Sequence, residues 1–500
     1  QKSVMEYLLI NHPLDCPVCD QAGECLLQDY SYQYGRGVSR FEETKVKNPK
    51  KDLGSHVLLY SDRCIMCTRC VRFTREVSGT SELLVTGRGN KEEIDVFPGV
   101  ALNNDLSANV IDLCPVGALL DKDFLFAQRV WFLKSTPSID GITASGDNIL
   151  IEHNEGKVYR IKPRPNAAVN KWWITDEVRY GWQHVHSAER LSGARRREFG
   201  ALRDGDLELA YADVLGAFDK ARQDERRVMA VISPMLSCED AYLLAKLARA
   251  ADPEAVLVVG PVPVVGEDRV YPPTLKADDP KAFIARAEKA PNARGVRRVL
   301  QAMGGKVLEF GEFASRLGKR DVGVLILTGN YPSVWATEEV LGAVNAARST
   351  AEGGNRTFVV LLDTLTSELV DASDVVLPSV TWTEKAGTFE NAKGMLQAFE
   401  QAIPALEGAR SEGQAALDLL VEMGEVEADV QSLHRYQIVD EGPGQVPAAR
   451  EVHFGRTKLF NAATVREQLG AHPEMGVFLT GVTMPSAAAP REPDVEMVEL

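Results

Sequence analysis

Eight side chains in the first quarter of the sequence carry metal-binding chemistry. His12, Cys16, Cys19 and Cys25 follow the spacing H-x3-C-x2-C-x5-C, in the run His12-Pro13-Leu14-Asp15-Cys16-Pro17-Val18-Cys19-Asp20-Gln21-Ala22-Gly23-Glu24-Cys25. Two prolines and a glycine make this a turn-rich loop able to wrap one ion or cluster. Three thiolates and one imidazole suit a structural zinc or a cubane iron–sulfur cluster, and spacing alone does not separate the two. In a cluster, a neutral His in place of a fourth thiolate removes one negative charge and raises the potential, as in Rieske centres. Chance assembly of a helix-end His with three structural cysteines is the bland alternative; four donors within fourteen residues argue against it.

The second set is Cys64-Ile65-Met66-Cys67-Thr68-Arg69-Cys70, a C-x2-C-x2-C loop. After forty-three intervening residues comes Cys114-Pro115-Val116-Gly117-Ala118. This is the bacterial ferredoxin cubane signature: three thiolates on one tight loop plus a remote Cys-Pro. Zinc sites more often use two separated C-x2-C pairs. The signature's usual fourth position, three residues after the triple, is Thr74 here, so Cys114 must close the site. Iron–sulfur is favoured at this set. It is then favoured at the first, because neighbouring redox centres can relay electrons. Arg69, Arg72 and Arg75 flank the triple and could offset cluster charge; a solvated helix face explains them equally well.

The rest of the chain must position these loops. Its 500 residues are several times the ~150-residue prior for one domain. With 45% hydrophobic and 25% charged residues it is neither disordered nor fibrous. A formal net charge of −15 argues against a general nucleic-acid binder. Of the eight cysteines only Cys238 lies beyond Cys114, too few for a disulfide scaffold. No apolar run approaches the ~18 to 20 residues that span a bilayer, and no signal-peptide pattern is expected. The sequence starts at Gln1 inside a helical pattern (Ser3–Ile10), so further sequence is expected upstream.

Phe41–Leu53 reads as a charged linker and His56–Tyr60 as a strand. Phe124–Lys134 reads as a strand or connector. Asn148–Glu152 and Lys157–Ile161 read as strands around a turn. From about Asp206, strands (Val228–Ile232, Val256–Val259, Val324–Leu327, Phe358–Leu362) alternate with helices (Glu239–Ala250, Asn292–Met303). That alternation predicts an α/β layered domain with a largely parallel sheet. Pro485–Leu500, Ala-rich and then acidic, reads as a mobile tail.

The first 135 residues resemble the central part of the large iron–sulfur subunit of proton-pumping NADH:quinone oxidoreductase, respiratory complex I. The carrying segments are Leu8–Cys16, Gly23-Glu24-Cys25-Leu26-Leu27-Gln28-Asp29, the Cys64 triple with Val71-Arg72-Phe73, and Asp112–Leu119. More weakly, the chain from about Ser135 resembles that subunit's molybdopterin-oxidoreductase-like domain, through Val158–Pro163, Ala372–Pro378 and Glu384–Asn391. The resemblance implies two small N-terminal iron–sulfur domains, one with a His and three Cys and one ferredoxin-like, followed by a molybdopterin-oxidoreductase-like α/β domain. The boundaries expected are 1–40, 41–134, a small β-rich segment 135–191, the α/β domain 192–430, and a C-terminal extension 431–500.

It also implies two [4Fe-4S] clusters, one on His12, Cys16, Cys19 and Cys25, the other on Cys64, Cys67, Cys70 and Cys114. Electrons would pass from an NADH/flavin site on another subunit through both clusters toward quinone. The implied partners are that NADH/flavin subunit and the subunits leading to quinone. Membrane contact would be indirect, at the cytoplasmic face of the bacterial inner membrane, with no complete active site on this chain.

Three departures matter. Thr136–Asn148 contains no Cys, so the further cluster of some relatives is expected to be absent. Cys238 is a poor positional match to a molybdenum ligand and reads as a packed thiol, so no molybdenum cofactor is expected. The family's leading [2Fe-2S] domain is absent from this chain and is expected on a missing segment or another chain. Two alternatives stand beside the main reading: the iron–sulfur part of a NAD-linked formate dehydrogenase or hydrogenase, and a non-redox zinc-stabilised scaffold.

Other signals are weaker. Gly329-Asn330-Tyr331-Pro332 follows a strand, where α/β ligands bind, but a plain turn explains it. His184 and His186 could be a ligand pair or structural. No GxGxxG, Walker A or G-x-S-x-G loop is present.

Overall fold

The computed structural model describes residues 1–349, 356–428, 433–439, 448–454 and 457–485. The tail expected at Pro485–Leu500 lies, except for Pro485, outside them. Contacts divide the chain into two units. Gln1–Trp182 and Val264–Glu288 fall in one, Gln183–Pro263 and Lys289–Pro485 in the other.

The first unit opens with α1 (Lys2–Leu9) and α2 (Leu26–Tyr34) around the first cysteine loop. The last carbonyls of α1 lack intrahelical donors. Lys45 supplies them, its Nζ 2.8 Å from both Leu9 O and Ile10 O. A three-stranded antiparallel sheet follows, β1 (Lys50–Asp52), β2 (Val57–Tyr60) and β3 (Leu119–Asp121), in that order. The charged stretch Phe41–Leu53 thus ends in an edge strand; Lys51 pairs opposite Leu59. Lys51 satisfies its charge on Glu93 and Asp95, at 2.7 and 2.6 Å.

Between β2 and β3 lie α3 (Arg69–Glu76) and α4 (Asn109–Leu113). Cys70, Phe73 and Thr74 make the buried stripe of α3, while Arg69, Arg72 and Arg75 face water. Leu53, Val57, Leu59, Phe73, Leu106 and Val110 form the core beneath the sheet. An antiparallel meander completes the N-terminal part: β4 (Lys134–Ile139), β5 (Asn148–Asn154) and β6 (Lys157–Pro163). Phe124–Lys134 is a connector with a 3-10 turn at Val130–Phe132. A ribbon from later in the chain, Arg269–Tyr271 with Phe283–Ala285, joins this core through Tyr271 and Phe283.

The second unit is the α/β layer structure. Its eight-stranded sheet has an antiparallel edge hairpin, β7 (Arg195–Glu198) with β8 (Ala201–Asp204). The parallel strands run, outward from that edge, β14 (Val375–Pro378), β13 (Phe358–Asp363), β12 (Val322–Thr328), β9 (Arg227–Ile232), β10 (Val256–Val259) and β11 (Val307–Leu308). Residues alternate between faces along a strand. Val228, Ala230 and Ile232 enter one core, Met229 and Val231 the other. Both faces are covered, as a parallel sheet requires. The first core is packed by α5 (Leu207–Gln223), α6 (Cys238–Ala251), α7 (Ala293–Ala302) and α9 (Glu412–Glu422); the second by α8 (Glu338–Arg348).

This unit buries charge. Lys385 Nζ lies 2.9 Å from Asp240 and 2.7 Å from Glu412, all three essentially without solvent contact. Burial opposes the lysine's charge, but Asp240 and Glu412 more than offset it and its pKa rises. Asn330 Nδ2 donates to Glu412 at 2.9 Å and to Val380 O at 2.7 Å. Breaking such a buried set by deleting one member costs about 3–5 kcal/mol. Lys385→Met is therefore expected to lower stability by about that much in urea unfolding, and adding Glu412→Leu should recover part of it; a loss below about 1 kcal/mol would contradict the assignment.

Candidate metal centres

The first donor loop is built by short turns. Cys16–Val18 is a 3-10 turn opened by Pro17, and Cys25 caps the start of α2. Gly23 takes φ +89°, and a Cβ there would stand 2.7 Å from Val130. Arg129 holds the loop from outside, donating to Cys19 O at 2.7 Å and to Pro17 O. Phe126 N donates to Asp20 Oδ2 at 2.7 Å. Cys19 and Cys25 are buried and Cys16 is exposed. Burial raises the thiol pKa of both buried cysteines, and the neighbouring cysteines add to the rise.

His12 follows the end of α1. Its buried Nδ1 has no hydrogen-bond partner. Burial, with Arg63 and Lys45 nearby, lowers its pKa and holds the ring neutral, the state that can ligate a metal.

The second loop is strained. Met66 and Thr68 take φ of 52° and 58°, left-handed values that side chains other than glycine rarely adopt. Each costs on the order of 1–3 kcal/mol and persists where the surroundings impose it. The strain turns the chain so that Cys64, Cys67 and Cys70 face one cavity, which Cys114 closes with Ile65, Ile94 and Val116. Met66 N donates to Cys64 Sγ at 3.3 Å. Burial pushes Cys64 up to about 11 and Cys70 to about 12, and raises Cys114.

Helix α4, which delivers Cys114, is pinned from Ile174 and Asp176. Asn109 Nδ2 donates to Ile174 O at 2.8 Å, and Asp176 accepts from Ser107 and from Ala108 N at 2.5 and 3.0 Å. The thiols rim the cavity rather than close on one point: among the described residues no three His, Cys, Asp or Glu side chains gather as a single-ion site would need.

One turn joins the two sets. Immediately after Cys114, Pro115 O accepts from Leu26 N at 3.2 Å and faces Cys25 Sγ at 3.8 Å. Two residues on, a Cβ on Gly117 would stand 2.2 Å from Cys19 Sγ. The wall of the second set is therefore also the wall of the first.

The spacing of the sequence did not reveal Gly117 or Arg63. Arg63, just before Cys64, is buried, with its guanidinium on Asp15, just before Cys16. The arginines that the sequence did bring forward, Arg69, Arg72 and Arg75, are the exposed ones.

Elsewhere the chain's chemical groups are absorbed internally. Cys238 opens α6 and is buried, its Sγ 3.5 Å from Asn292 Oδ1. His184 stacks on Trp382 with centroids 5.5 Å apart, and His186 ends the same 3-10 turn. The Gly329 loop is a buried turn in which Asn330 N donates to Asp363 at 2.9 Å.

Comparison with known proteins fits this geometry. Residues 1–40 match the NADH-ubiquinone oxidoreductase-G iron–sulfur binding region, and 54–120 the ferredoxin-like domain of NADH-quinone oxidoreductase subunit 3. Residues 133–183 match the NDSU1/NuoG-like 4Fe-4S domain, although this span contains no cysteine, and 295–419 match molybdopterin oxidoreductase. The NADH-ubiquinone oxidoreductase 75 kDa subunit of Reclinomonas americana is 41% identical over 49% of this chain and 36% of its own length. That of Acanthamoeba castellanii is 50% identical over 36% of this chain and 27% of its own. The mitochondrial NADH dehydrogenase (ubiquinone) iron–sulfur protein 1 of Solanum tuberosum is 49% identical over 36% and 24%. A crystal structure of an NAD+-reducing [NiFe]-hydrogenase in the H2-reduced state matches with TM-score 0.23 and 27% identity, over 26% of this chain and 56% of that one. The chain spans about a third or less of the length of the curated relatives it matches. It is a homologue of the 75 kDa iron–sulfur subunit of NADH:quinone oxidoreductase, with 4Fe-4S regions followed by a molybdopterin-oxidoreductase region.

Proposed function

We propose that this chain is an electron-conducting subunit of a complex I-type NADH:quinone oxidoreductase, carrying electrons from an NADH/flavin subunit toward quinone. The observation that carries the reading is the Cys114–Gly117 turn, which lines both donor sets at once. His12, Cys16, Cys19 and Cys25 would hold one [4Fe-4S] cluster, and Cys64, Cys67, Cys70 and Cys114 the other. Such clusters supply reversible one-electron carriage at potentials set by charge, hydrogen bonds and burial.

The donor chemistry fits. One set offers a neutral imidazole with an unpartnered ring nitrogen; the other offers four thiols around an apolar cavity. The chain's own part is to space the two sets, exclude water and fix the local charge. Residues 1–40 and 41–134 would form the two cluster domains. The α/β region 192–430 would be a scaffold, because Lys385, Glu412, Asp240 and Asn330 are spent on one another and Cys238 on packing. Molybdenum and a [2Fe-2S] centre form no part of this reading. Among the described residues no helix is long and apolar enough to cross a membrane. We place the chain peripherally, on the cytoplasmic face of the bacterial inner membrane, with contact through partner subunits.

Three measurements test this. Anaerobic reconstitution with iron and sulfide should give two cubane EPR signals. Cys64→Ser should remove one of them and spare the other; a colourless zinc protein would overturn the reading. Gly117→Ala should diminish the signal of the His12 set by crowding Cys19, and two unchanged signals would reject the shared wall. Because burial keeps the Cys64-set thiols protonated at neutral pH, loading must release protons, so binding tightens as pH rises. Ferrous iron affinity by chelator competition should rise about tenfold or more per pH unit between 6.5 and 8.5; a flat profile would mean the thiols are already ionised.

A further inference from the structure

Arg63 is held as an asymmetric ion pair. Its side chain is 3% exposed, whereas that of its partner Asp15 is 35% exposed. Nε and Nη2 both donate to one oxygen, Asp15 Oδ2, at 3.0 and 2.8 Å. Nη1 reaches toward Gly117 O at 3.5 Å, and the guanidinium lies over the Tyr60 ring, 4.2 Å from its centroid.

The two charges are therefore not screened alike. Water takes up much of the carboxylate's field, while the guanidinium acts through a poorly polarisable interior. Arg63 Cδ and Cys19 Sγ both abut the empty Cβ position of Gly117, at 3.8 and 2.2 Å, which puts them at most about 6 Å apart. The same cation lowers the proton affinity of His12 and opposes the rise that burial imposes on Cys19. Its backbone belongs to the other set, in the 3-10 turn that ends one residue before Cys64.

From this placement we infer that Arg63 is the residue that sets the reduction potential of the His12, Cys16, Cys19 and Cys25 centre. It supplies a buried positive charge from the strand that carries the neighbouring centre, and Asp15 partly balances it. Reduction adds one electron to the centre with no bond made or broken, so a fixed positive charge favours the reduced form. The inference rests on the cluster reading of that site.

The test is a potentiometric EPR titration of the reconstituted full chain, with the His12-set signal assigned by its change in His12→Cys. Arg63→Met is expected to lower the reduction equilibrium constant at least tenfold, equivalent to 59 mV for a one-electron couple. Arg63→Lys, which keeps the charge, should stay within about threefold of the parent, and Asp15→Asn should shift the potential in the opposite direction to Arg63→Met. A change of less than threefold in Arg63→Met, or a downward shift in Asp15→Asn, overturns the inference. If Arg63→Met fails to fold by circular dichroism, the sign of Asp15→Asn decides alone: upward supports the inference, unchanged or downward overturns it. Absence of any cubane signal in the parent chain would instead defeat the cluster reading itself.

Discussion

The contact between the Cys114–Gly117 turn and the first cysteine loop is the constraint from which the N-terminal unit follows. Pro115 has no N–H, so it enters the turn without an unsatisfied donor, and its carbonyl is free to accept from Leu26 at the start of α2. Gly117 then passes Cys19 closer than any side chain would allow. Cys114 itself is fixed because α4 is tied to Ile174 and Asp176. Moving either donor set therefore moves the other. For a relay this is the required property, since the separation of the two centres is held by backbone rather than by flexible side chains.

Burial then creates the electrostatic problem that the site has to manage. Removing the thiols from water holds them protonated, and adding a charged cluster to the same interior would carry a further penalty. The chain answers with unequal means. The Cys64 set receives backbone N–H groups, such as Met66 N on Cys64 Sγ, at the expense of left-handed backbone at Met66 and Thr68. The His12 set receives a neutral imidazole and a buried guanidinium. Strain and buried charge are stored where the donors are, while the flanking arginines of α3 stay in water.

Much of this was legible in the sequence, and the boundary of legibility is physical. Donor spacing, the alternating apolar strands Val228–Ile232 and Phe358–Leu362, and the helix at Glu239–Ala250 are local patterns, and each appears in the structure within a residue or two. What could not be read depends on partners far along the chain. Lys50–Asp52 looks like linker because its pairing with β2 is invisible in a run of lysines. The ribbon at 269–285 looks like an insertion in the α/β region, yet Tyr271 packs in the N-terminal core and donates to Asp105 at 2.7 Å. Lys385 has no local sign of being buried between Asp240 and Glu412, which lie 145 positions before it and 27 after it in the chain.

The arginines make the same point at the level of function. Helical periodicity places Arg69, Arg72 and Arg75 on one face of α3 close to the triple, so counting charge near the ligands selects them. Proximity in sequence is the wrong criterion, because a guanidinium in water is screened within a few ångströms of solvent and adds little field at a buried centre. Arg63 looks unremarkable in sequence, one arginine at a strand end. Its weight comes from burial, from a carboxylate partner that is itself half solvated, and from a glycine that lets it approach Cys19. The residue that most alters the electrostatics of a centre is thus the one whose charge water cannot reach, and only the fold decides which one that is.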